Sequence, residues 1–98
     1  MPLVSIASLV RRFQNSVDQS DDRAAAELAF VLAERLRREG LLQDARKYAA
    51  VCLDLSSRLP SHSLEDVSVD ELSIGGIPLP ERFHAGVVRA RLEGLLDP

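Results

Sequence analysis

The sequence predicts an all-α domain of four main helices built on a central antiparallel helical hairpin. Three observations carry that expectation. Apolar residues recur three and four apart through most of the chain, the spacing of one helix face. Leu (16) and Ala (11) dominate the apolar share, while Phe13, Phe30, Tyr48 and Phe83 are the only aromatics. Between the periodic runs lie short segments with capping and stop chemistry, Asp18-Gln19-Ser20-Asp21-Asp22 and Gly40.

The first helix is expected over about 3–17. Leu3, Ile6, Val10, Phe13 and Val17 form one stripe with Leu9 beside it, and Pro2 suits a first turn. Ser20 is the expected cap of a second helix over about 21–39, with Asp21 and Asp22 complementing its positive dipole end. Ala25, Leu28, Ala29, Leu32, Ala33 and Leu36 make its apolar stripe. Arg35, Arg37 and Arg38 fall in its last turns, with Glu34 placed to pair with Arg38, and Gly40 follows as a left-handed stop.

A third helix is expected over about 42–59, ending before Pro60. Its buried stripe reads Ala45, Tyr48, Ala49, Cys52, Leu55 or Ser56, and Leu59. So short a connection forces the second and third helices into a hairpin, and Ala on both facing stripes permits close approach. Residues 60–80 read as an irregular crossover loop. They hold Pro60, Pro78 and Pro80, the pair Gly75-Gly76, and a run of acids unrelieved by any base. Ser68-Val69-Asp70-Glu71 could open one helical turn there. A fourth helix is expected over about 81–96, weakened by Gly86 and Gly94.

The hairpin spacing resembles a tetratricopeptide repeat over about residues 26–59. With Ala45 at the small position of the repeat's second helix, Leu32-Ala33 falls at the Leu-small pair of the first and Leu36 at the usual Tyr. Gly40 falls at the turn glycine, and Ala49 and Cys52 at later packing positions. Ala29 stands where a Trp or other large residue is usual, Ala49 replaces a bulky aromatic, and no second copy of the pattern occurs. The resemblance implies a helical module that binds a peptide or helix of another protein.

Charge and chemistry exclude more than they name. Residues 1–59 hold nine basic and eight acidic side chains and residues 60–98 hold three and seven, so no broad basic face invites nucleic acid. A lone Cys52 on a buried stripe reads as a structural thiol. His62 and His84 have no partner at metal-ligand spacing, and Gly75-Gly76 lacks the flanks of a phosphate loop. No catalytic residue, metal or cofactor is expected. No uncharged run has the length of a membrane span and no secretory leader is visible, which points to the cytoplasm.

The function expected is a non-enzymatic interaction module: an adaptor, a small chaperone or an assembly subunit. Its candidate partner-binding residues are Ile74, Ile77, Leu79 and Phe83, apolar and beside rigid prolines, together with Arg35, Arg37 and Arg38 for an acidic protein segment. One alternative is a structural homodimer formed through the first and last helices. A lesser one is a small nucleic-acid-binding regulator that uses the arginines with Arg46 and Lys47.

Overall fold

A computed structural model of the chain describes residues 5–58, 62–63, 82–83 and 85–96. Helix α1 spans Ile6–Asp18, α2 Asp22–Arg38 and α3 Leu42–Arg58. Strands β1 (His62–Ser63) and β2 (Arg82–Phe83) follow, then α4 (Ala85–Arg91) and α5 (Glu93–Leu96). The chain is mostly helical, so the all-α class holds.

Capping side chains set the starts of α1 and α2. The Ser8 amide donates to Ser5 Oγ at 3.1 Å, and Ser5 itself is extended (φ -72, ψ 154), so α1 starts at Ile6 rather than near residue 3. Pro2 and Leu3 lie outside the described residues. Ser20 does not cap α2 as expected. It sits at φ 56 in the left-handed region and closes α1, its amide donating to Val17 O while the Asp21 amide reaches Ser16 O. The cap of α2 is Asp21, whose carboxylate accepts from the Ala24 amide at 3.1 Å.

The same hydrogen-bond pattern recurs at the end of α2. Gly40, at φ 79, donates to Arg37 O and Leu41 donates to Leu36 O. Both joints are therefore Schellman turns, which satisfy the last carbonyls of one helix while redirecting the chain into the next. The second joint ends on Leu41, whose carbonyl accepts the first bond of α3 but whose side chain cannot cap it.

Helix α2 is the centre of the packing. It is buried at Ala25, Ala26, Leu28, Ala29, Phe30, Val31, Leu32, Ala33 and Leu36, which is most of its circumference and wider than the expected stripe. Only a strip containing Arg23 and Arg38 stays exposed. Its main neighbours are α3 and then α1. The face that α3 turns inward is small throughout, with Ala45, Ala49, Cys52 and Ser56 all buried. The Cys52 thiol donates to Ala26 O at 3.3 Å, which joins the start of α2 to the second half of α3 and shows that the helices run antiparallel. That contact sets a register in which Ala29 stands level with Ala49 and Ala33 with Ala45.

The C-terminal region departs from expectation. Residues 82–83 are extended rather than helical and pair antiparallel with 62–63, His62 opposite Phe83 and Ser63 opposite Arg82. The helix expected from 81 starts at Ala85 and breaks at Leu92, giving two short helices in place of one. At the break the Leu95 amide tightens onto Leu92 O at 2.9 Å, and Gly94 sits just beyond it. Val88, Leu92 and Leu95 keep helical spacing and bury completely or nearly so, with α4 and α5 packed on α3.

Two substitution pairs test these joints and this packing. Gly40→Ala is expected to cost about 1 kcal/mol, because an added Cβ meets nothing and only the left-handed backbone is penalised. Ser20→Gly, at the matching position, is expected to stabilise by up to about 1 kcal/mol. Ala49→Leu should cost about 2 kcal/mol or more by overpacking against α2, while Ala50→Leu on the exposed side stays near zero. Urea unfolding followed by circular dichroism measures all four.

Candidate partner-binding groove

The three arginines proposed for binding are spent largely on their own helix. Arg37 bonds Glu34 and Arg35 lies 3.8 Å from Glu39, with Arg35 and Glu34 side chains each only 13% exposed. Glu34 thus pairs with Arg37, one turn on, and not with Arg38 as the sequence suggested. Arg38 is exposed. The pairs complement the negative end of the helix dipole, and they leave less free positive charge than the sequence implies. The backbone of Phe83 lies in β2, away from the helical position expected for it. Ile74, Ile77 and Leu79 lie outside the described residues.

A surface that the sequence did not single out lies between α1 and α3. Of the apolar stripe on α1 only Leu9 is fully buried; Ile6, Val10 and Phe13 are half-buried, and Val17 is 44% exposed. The stripe is therefore rotated, one edge packed on α2 and the other facing α3 across an open groove. Phe13 and Val17 line one wall, Val51 and Leu55 the other, and Gln14, Asp54 and Arg58 stand at the rim. The groove holds about 490 Å³.

One contact bridges the two walls. The rings of Phe13 and Tyr48 meet edge to face, centroids 5.5 Å apart and planes at 88°, and the ammonium of Lys47 lies 6.0 Å from the Tyr48 ring centre. Because Phe13 in the middle of α1 meets Tyr48 in the first half of α3, the groove runs on toward Val17 and Arg58. The sequence held one sign of it: Val51 and Leu55 fall to one side of the Ala45–Ala49–Cys52 line and extend the apolar surface of α3 beyond what α2 covers. Leu41 and Leu42, at the tip of the α2–α3 hairpin, are exposed at 49% and 47%.

Other chemistry is sparse. Cys52 is fully enclosed, and burial pushes its thiol up to about 12 from 9.0, with the Ser56 hydroxyl pulling weakly the other way. At neutral pH it is a protonated hydrogen-bond donor and a poor nucleophile. Among the described residues no group of three or more His, Cys, Asp or Glu side chains is placed to hold a metal ion. No helix among them is long and apolar enough to cross a membrane.

Comparison with known proteins adds no relative: no family model matches the chain, and neither the curated proteins nor the solved structures yield a similar one.

The enclosed thiol has a signature in alkaline solution. A folded-state value raised to about 12 against 9.0 means that the unfolded chain releases this proton first. The thiol's contribution to stability is whole below pH 9.0 and is lost as pH climbs toward about 12. Cys52→Ala is expected to show a shallower fall in urea midpoint than the wild type over that window. Parallel slopes for the two proteins would count against the burial account.

Proposed function

We propose that the protein is a non-enzymatic interaction module that receives an amphipathic helix in the α1–α3 groove. The observation that carries the reading is the rotation of α1, which leaves Phe13 and Val17 half-covered opposite Val51. Helices that dock in grooves present apolar anchors at helical spacing to such a surface, and the polar rim of Gln14, Asp54 and Arg58 suits the flanking residues of such a helix. An adaptor, a small chaperone or an assembly subunit is the class of protein this describes.

In this reading the architecture is a four-helix domain on a central hairpin, with α4 and α5 together taking the fourth place. The tetratricopeptide-like spacing of 26–59 fits a hairpin that acts as a scaffold, while α1 supplies the second wall. Ile74, Ile77 and Leu79, which lie outside the described residues, remain candidates for a second contact on the strength of the sequence alone. A cytoplasmic location accords with the single unpaired cysteine.

Covalent footprinting in native cell extract tests the groove. Phe13, Val17 and Val51 are expected to become protected relative to the dilute purified protein, while Arg23 and Arg38 on the outer strip of α2 stay labelled. Val51→Asp should abolish that protection and leave the helical circular dichroism intact. Protection of the outer strip in place of the groove would defeat the reading.

A further inference from the structure

We propose that the helix received by the groove is α3 of a second copy of this chain, packed antiparallel about a two-fold axis at Val51. This deepens the groove reading and rests on it. Charges along the exposed side of α3 are ordered so that an antiparallel copy complements them. Asp44 lies seven residues before Val51 and Arg58 seven after, so the three share one line along the helix, about 21 Å from end to end. Beside that line stand Lys47, four residues before Val51, and Asp54, three after. Asp44, Lys47, Asp54 and Arg58 are all exposed, and Val51 between them is half-buried.

A two-fold axis through Val51 sets each residue level with the one equally far on the other side. Asp44 of each copy then stands level with Arg58 of the other, and Lys47 within one residue of Asp54. All four cross-pairs are of opposite sign, and each type is made twice. The same rotation keeps the Tyr48–Leu55 side of both copies on one side of the interface. Phe13 and Val17 from each α1 therefore close over the apolar seam, with the Lys47–Asp54 pairs along the other side. Parallel packing would set Asp44 against Asp44 and Arg58 against Arg58, which like-charge repulsion opposes. The order acid, base, apolar, acid, base is thus self-complementary in one orientation only. The exposed Asp54–Arg58 pair within α3, at 3.2 Å, does not compete strongly, since both side chains are more than half exposed.

Charge reversal tests both the dimer and its register. Sedimentation equilibrium on the wild type is expected to show a dimer at tens of micromolar, weakened by added salt. Lys47→Glu and Asp54→Lys are each expected to raise the dimer dissociation constant about tenfold or more, because each turns two attractions into two repulsions. An equimolar mixture of the two variants should associate as tightly as the wild type, since every cross-pair is again of opposite sign. Circular dichroism checks that each variant keeps its helices. A monomeric wild type, single variants that dimerise unchanged, or a mixture no tighter than its parts would overturn the proposal. A monomeric wild type whose groove is nonetheless protected in extract, in a manner abolished by Val51→Asp, would remove the second copy and leave the groove reading standing.

Discussion

The close approach of α2 and α3 is the contact on which the rest of the fold depends. It is made by residues with almost no side chain: Ala26, Ala29 and Ala33 on one helix, Ala45, Ala49, Cys52 and Ser56 on the other, all buried. A seam of this kind gains from dispersion between backbones at short range, and it has little conformational entropy to lose on burial. A stripe of small residues does not by itself fix register, since a one-turn slip would set Ala33 against Ala49 much as before. The thiol of Cys52 adds direction, since its hydrogen bond to Ala26 O is available in one register only. Burial that holds the thiol protonated also keeps it a donor, so its chemistry and its structural role are the same fact.

A seam of small residues has a consequence at the edges. Ala-rich faces bury less apolar area than Leu- or Phe-rich ones, so the larger residues must find cover elsewhere. Leu28, Phe30, Val31 and Leu32 turn to the other sides of α2 and are buried there. Leu9 enters the same core from α1, and Val88, Leu92 and Leu95 enter from α4 and α5. The larger residues of α1 are not treated alike. With Leu9 committed to α2, the helix rotation is set, and Phe13 and Val17 are carried round toward α3, where Tyr48 covers Phe13 in part and Val17 stays 44% exposed.

Helix existence was legible because periodicity and Schellman chemistry agree locally: Gly40 marked its joint, and Ala45, Ala49 and Cys52 marked the inner face of α3. Ser20 misled because the same residue type serves as a cap and tolerates the left-handed region, and Asp21 beside it is as good a cap. The extended pair 82–83 was hidden because a ladder of two residues depends on a partner about twenty residues away and leaves no period of its own. The groove was hidden for a different reason. Periodicity tells which side of α1 is apolar, and it cannot tell how far that side is rotated from its neighbour. Only the burial of Leu9 against the exposure of Val17 reveals the angle.

Helix α3 has two faces to satisfy at once. Its inner face is constrained to small residues by α2, so any specificity in association must be written on its outer one. There the apolar content is modest, half-buried Val51 and Tyr48 with the buried Leu55 beneath them, too little to define an orientation, because dispersion and apolar burial are indifferent to direction. Charges are not indifferent. The alternation of Asp44, Lys47, Asp54 and Arg58 about Val51 supplies the direction that the apolar groove lacks, at positions where each charge stays hydrated until it is paired. A partner with uniform charge would meet one attraction and one repulsion in each half of α3, Asp44 against Lys47 and Asp54 against Arg58, whereas an antiparallel copy meets attraction at all four. The division of labour is therefore between a groove that provides area and a charge order that selects what enters it.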